Sequence, residues 1–157
     1  MLTGEAQDMS TLVLGIGNPI LSDDGVGIEV ARLLREQVPG ITVEETNEAA
    51  IALIDLIVGY DRLIIIDSIK TGQGKPGELY KLTLEDLGSN MDFSSLHGMD
   101  IATAFEVGES LGCPMPRSVS IYAVEVKDNS NFAERCTPEV ADRIPLVVKQ
   151  IKGEEKL

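Results

Sequence analysis

Two short runs of this sequence are apolar through their centres: TLVLGI at Thr11–Ile16 and RLIIID at residues 62–67. Each has the length of a strand and lacks the alternation of a half-wet one, which is the pattern of a strand covered on both faces. A sheet buried on both sides needs helices above and below it, and parallel strands need crossover segments to join them. The intervening sequence supplies both. Helix-period segments are expected from Asp24 to about Gln37, stopped by Pro39-Gly40, and over residues 48–58. A third helix is expected from His97 to Leu111, with Ser94 or Ser95 as cap and Ile101, Ala104, Phe105 and Leu111 facing inward. A last helix is expected from Thr137, with Pro138 at its first position, to about Lys152. Further strands are expected at residues 41–45, 78–84 and 118–124. The reading is a three-layer α/β fold: a mostly parallel twisted sheet of about five strands with helices on both faces, phosphorylase- or hydrolase-like in architecture. Residues 10–152 form the single domain, after a disordered lead-in at 1–9 and before a charged, frayed tail at 153–157.

Composition narrows the function. The 157 residues hold 26 Asp and Glu against 13 Lys and Arg, a net charge of −13. Such a surface repels phosphate backbones and anionic lipid, so neither nucleic acid nor membrane is an expected partner. No apolar run approaches the roughly 20 residues that a bilayer requires. The N-terminus lacks the basic and apolar regions of a signal peptide, so a cytoplasmic location is expected. Cys113 and Cys136 belong to no metal or redox motif and read as reduced, small hydrophobic residues.

In a parallel sheet, ligands bind beyond the carboxyl ends of the strands. Two acidic features lie there. The loop after the first strand reads GIGNPILSDDGVG at residues 15–27, and Asp67 ends the most apolar strand. The loop is not a dinucleotide cradle, because Ile20 stands where a third glycine is required, and Asp23 and Asp24 would repel a pyrophosphate. Adjacent aspartates cannot both face one atom; one can cap the following helix while the other points into the cleft. Asp67 reads either as a turn former or as a metal ligand or general base, since burying a carboxylate at an apolar strand end calls for a partner. His97 is the only histidine. Near a helix start the dipole keeps its ring neutral, and a neutral imidazole can hold a metal or serve structure alone. Two carboxylates and one imidazole suit a borderline divalent ion.

The segments LVLGIGNPILSDDGVG (residues 12–27), LIIIDSI (residues 63–69) and Leu96-His97-Gly98 resemble three blocks of the nickel–iron hydrogenase maturation peptidases. The resemblance runs from about Thr11 to Ile151. It implies an endopeptidase that removes the C-terminal extension of a hydrogenase large-subunit precursor after nickel insertion, with nickel carried by the substrate and no organic cofactor. By motif position, Asp24, Asp67 and His97 would be both the metal contacts and the catalytic groups, of aspartic or metal-assisted type. Gly17, Asn18, Asn47 and Glu48 would form the substrate loop. Asp23 is left as the helix cap. The sequence departs from the family at TNEAA (residues 46–50), where a small Gly-Thr segment is usual. A noncatalytic binder of the metal-loaded large subunit would use the same three residues. A phosphorylase-like enzyme is disfavoured by the acidic loop.

Overall fold

The computed structural model describes residues 10–48, 51–87 and 98–157. The lead-in at 1–9 and the expected contact His97 lie outside them, as do both candidate caps, Ser94 and Ser95. One sheet forms from β1 (Thr11–Ile16), β2 (Thr42–Thr46), β3 (Arg62–Ile69), β4 (Leu79–Leu82) and β5 (Ser118–Glu125). Its order is β2-β1-β3-β5-β4. β4 runs antiparallel to β5 and the other pairings are parallel.

The helices are α1 (Val26–Gln37), α2 (Ile51–Ile57), α3 (Leu84–Leu87), α4 (Gly98–Ser110), α5 (Pro138–Ala141) and α6 (Ile144–Glu155). Strand alternation distributes the apolar runs between two cores. Leu63 and Ile65 pack with Leu53 and Ile57 of α2 and Phe105 of α4. Ile64 and Ile66 pack with Val30 and Leu34 of α1 and Val148 and Ile151 of α6. Because β1 leads through α1 to β2 on one side, and β3 lies on the other, the crossovers diverge between β1 and β3. That divergence opens a crevice at their carboxyl ends.

α1 lies flush on the sheet because glycines leave room for it. A Cβ on Gly15 would come within 2.6 Å of the Gly27 carbonyl. A Cβ on Gly27 would meet the Ile66 carbonyl and come within 2.7 Å of the Ile16 carbonyl. Both obstacles are backbone, which cannot swing aside as a side chain can.

Three expectations are corrected. α1 starts at Val26, after a 3-10 turn at Ser22–Gly25, so Asp24 precedes the helix. Leu111 is 71% exposed and lies past the end of α4, where Gly112 takes a positive φ of 76°. The last helix is two, because Pro145 has no N–H and its ring would collide with the carbonyl of Ala141 in a continuous helix.

The chain end is also not frayed as expected: α6 continues to Glu155, which is buried. The Arg62 guanidinium donates to the Glu155 carboxylate and to its backbone carbonyl, each at 2.6 Å. Tyr122 donates to the same carboxylate at 2.5 Å. Burial alone would raise the Glu155 pKa, but the bonds from Tyr122 and Arg62 outweigh it and hold the carboxyl below its ordinary value of 4.5.

Two outcomes follow. Gly27→Ala should cost roughly 2–4 kcal/mol, seen as a lower urea midpoint at unchanged slope. The Glu155 contribution to stability is present above about pH 4.5, the ordinary value, and is lost as pH falls through its lower folded value. Denaturation midpoints of wild type and Glu155→Gln should therefore differ at pH 7 and converge in acid.

Candidate active site

The crevice between β1 and β3 is bounded by the loop after β1. Gly17 permits its sharp exit: φ is 153°, and a Cβ there would strike the Asp24 carbonyl. The Gly17 N–H donates to the Thr46 carbonyl at 3.0 Å, fastening the loop to the end of β2. The loop then folds back so that the Asn18 N–H donates to Asp24 Oδ2 at 2.9 Å. Asp24 Oδ1 accepts the Ser68 hydroxyl at 3.1 Å. Those bonds occupy one lone pair on each oxygen and fix the carboxylate plane. Asp24 is half-buried, able to meet solvent or a substrate.

Asp67 is fully buried on β3, and its Oδ1 accepts the Ser68 N–H at 2.8 Å. By alternation it shares a face with Leu63, Ile65 and Ile69, whereas Ser68 lies with Ile64 and Ile66. Ser68 therefore touches both aspartates: its hydroxyl holds Asp24 and its N–H holds Asp67. The two carboxylates reach the same end of β3 from opposite faces of the sheet.

Asp23 does not cap α1. Its side chain is fully buried and turns towards the segment after β5. Oδ2 accepts the N–H groups of Lys127 and Asp128 at 2.9 and 3.0 Å. Oδ1 accepts the Thr137 N–H at 2.6 Å, and the Thr137 hydroxyl lies within 3.0 Å of both oxygens. Bonds to an ionised acceptor are strong enough to offset much of its desolvation. The backbone adds to the clamp: Ser22 N–H donates to Ala133 O, Ala133 N–H to Ile20 O, and Asp23 N–H to Asp128 O. Thr137, the expected side-chain cap of the last helix, makes no such cap bond because its hydroxyl serves Asp23. The loops from β1 and β5 are thus joined across the end of β3, which lies between those strands.

The segment after β5 is itself well tied. Asp128 accepts from Ser130 N–H, Asn131 N–H and the Asn131 amide. The Asn131 amide, then the two N–H groups, hold its carboxyl down to about 2. At the end of β5, buried Glu125 accepts the Thr71 N–H and hydroxyl and the Tyr80 hydroxyl, fixing the turn after β3. Burial and the neighbouring Glu78 and Glu125 push the Tyr80 phenol up to about 12.

The sequence-derived residues are thus partly gathered. Asp24, Asp67, Gly17 and Asn18 adjoin one crevice. Asn47 and Glu48 are exposed beside it, with the Glu48 N–H bonded to Thr46 Oγ1 at 2.9 Å. His97 directly precedes the described part of α4. Among the described residues, no three His, Cys, Asp or Glu side chains gather closely enough to hold a metal ion. A groove of about 710 Å³ opens elsewhere, at the amino end of β5, lined in part by Phe105, Met115 and Arg117. Both cysteines are free; burial pushes the Cys136 thiol up, so it is a poor nucleophile. Sequence reasoning missed Ser68, Thr137 and the clamp role of Asp23. The polar run KDNSN at residues 127–131 carries no sequence mark of its docking partner.

A sequence profile of the hydrogenase maturation protease family matches residues 28–154. The hydrogenase expression/formation protein HupD of Bradyrhizobium diazoefficiens is 29% identical over 145 residues, which span 88% of this chain and 74% of that protein. The hydrogenase 2 maturation protease of Escherichia coli is 29% identical over 82 residues, 50% of either chain. Among solved structures, the hydrogenase maturating endopeptidase HybD from E. coli superposes with a TM-score of 0.79 at 22% identity, covering 94% of this chain and 93% of that one. The [NiFe] hydrogenase maturation protease HybD from Thermococcus kodakarensis gives 0.70 at 22% identity, covering 92% and 98%. The structural likenesses carry the fold. The profile match, which takes in most of the chain and both halves of the sheet, carries the family: this protein belongs to the hydrogenase maturation proteases, and by that membership is a protease.

Proposed function

We propose that this protease removes the C-terminal extension of a nickel–iron hydrogenase large-subunit precursor after nickel insertion, acting in the cytoplasm, with Asp24, Asp67 and His97 as its working residues. The observation that carries the reading is the double use of Ser68, which brings Asp24 and Asp67 to one strand end at the crevice where ligands of such sheets bind. Nickel belongs to the substrate in this reading. Carboxylate oxygens and a neutral imidazole suit such an ion, and contacts realised only when it is present make cleavage depend on completed insertion.

The chemistry asked of the chain is modest. A carboxylate held at fixed orientation acts as general base towards water, and a protonated acid or the substrate's cation polarises the scissile carbonyl. Asn18 and Gly17 hold Asp24 in place, while exposed Asn47 and Glu48 border the approach. Among the described residues no helix is long and apolar enough to cross a membrane.

Incubation with nickel-loaded precursor, followed by mass spectrometry, tests this directly. Asp24→Asn, Asp67→Asn and His97→Ala should each reduce cleavage at least about 100-fold, as for lost acid–base groups. Ser68→Ala should slow it about tenfold, since it removes one hydrogen bond to an ionised group. Full cleavage by the first three variants overturns the reading. Calorimetry of the free protein should give nickel dissociation constants of roughly 10 μM or weaker, because two or three ligands leave the coordination shell incomplete. A tight, stoichiometric resident metal would contradict nickel as a substrate-borne signal.

A further inference from the structure

We infer that residues 127–135 form a substrate-reading wall of the site, with Phe132 seating an apolar side chain of the precursor and Asp23 positioning the wall. The inference rests on the proposed function, because its occupant is the chain being cleaved.

Phe132 is 84% exposed, while Phe105 is buried in the core. The chain has only three phenylalanines and no tryptophan, so leaving one in water is an uncommon use of it. Exposure alone would carry little. What distinguishes Phe132 is how it is held. It follows the tight turn that Asp128 makes with Ser130 and Asn131. It precedes Ala133, which pairs with both Ile20 and Ser22 of the first loop. Lys127-Asp128 at the segment's start and Thr137 just past its end are fastened to the buried Asp23 carboxylate.

A large apolar side chain is therefore presented on restrained backbone, next to Ala133, which is bonded to the loop that carries Asp24. Much of the ordering cost of a contact there is already met by folding, which is the condition under which a single aromatic anchors an interface. Ile20, paired through its carbonyl with Ala133, adds a second partly exposed apolar side chain at 48%. Charge selects the occupant further. Of the wall's two exposed cations, Lys127 pairs with Glu139 at 2.7 Å, and Arg135 stands against exposed Glu134 and Glu48 and half-exposed Asp128, in a chain that carries −13. The fitting ligand is an extended segment of the precursor with an apolar residue next to a basic one.

The test compares wild type, Phe132→Ser and Phe132→Leu with the uncleaved, nickel-loaded precursor. Cleavage by wild type reports on the proposed function. The wall is read separately, as precursor affinity and KM. Phe132→Ser should weaken binding and raise KM about tenfold, a change larger than any fall in kcat, with the melting temperature unmoved because the side chain is exposed. Phe132→Leu should recover most of the affinity. In a double-mutant cycle, Asp23→Asn and Phe132→Ser should be non-additive, since the amide cannot accept from all the N–H groups the carboxylate does, and a released wall no longer presents Phe132. An unchanged precursor affinity in Phe132→Ser overturns the inference, whether or not wild type cleaves. If wild type cleaves while Phe132→Ser matches it in KM, the inference fails and the proposed function stands.

Discussion

The site is organised by a carboxylate that, in the proposed reading, takes no part in its chemistry. Asp23 is buried among N–H groups and a hydroxyl that all come from residues 127–137, and it joins the loops that follow β1 and β5. Because β3 lies between those strands, the join passes over the strand end that carries Asp67 and Ser68. An isolated ion in that position would be costly; surrounded by donors it becomes a rivet. Its neighbour Asp24 has the same side chain and a different fate. Asp24 is half-exposed, anchored by one bond per oxygen, and turned towards the end of β3. Identity of residue type decides little here; the supply of donors around each carboxylate decides which is structural and which is available.

Local strain is accepted to make this arrangement. Ser22 sits at φ 53°, in the left-handed region that L-residues other than Gly, Asn and Asp seldom enter, at a cost of roughly 1–2 kcal/mol. The turn is held by the Ser22 N–H bond to Ala133 and the Asp24 N–H bond to Leu21. It sends successive side chains in opposite senses, Asp23 towards the segment after β5 and Asp24 towards β3. Gly17 makes the complementary contribution, since any Cβ would displace the Asp24 carbonyl. The spacing of glycine and aspartates in GIGNPILSDDGVG is thus a backbone requirement before it is a chemical one.

The sheet was legible in the sequence because two-sided burial leaves a plain mark: TLVLGI and LIII tolerate no polar residue in either core. Asp67 was legible because a carboxylate at the end of such a strand stands out. The partners of Asp23 were not. They lie 104 to 114 residues away, and three of the donors are backbone N–H groups that any non-proline residue supplies. Ser68 was hidden for a related reason, since a serine beside an aspartate at a strand end reads as turn chemistry until the β1 loop is seen to fold over it. The helical end of the chain was misread because Glu154, Glu155 and Lys156 look like a solvated tail. The Arg62 and Tyr122 partners that draw Glu155 inward come from β3 and β5.

In the proposed reading, a substrate-borne cation lies beside two carboxylates. Two carboxylates tied to the N–H and hydroxyl of one serine bring like charges to the same strand end. In the proposed reading, a divalent ion carried by the substrate would favour both charged carboxylates, which a neutral ligand does not. The two carboxylates and one imidazole of that reading would leave the coordination shell of such an ion incomplete. The remaining ligands must arrive with it. In that reading, a chain that supplies only part of a shell is suited to recognise an ion already embedded in another protein and is poorly suited to keep one of its own.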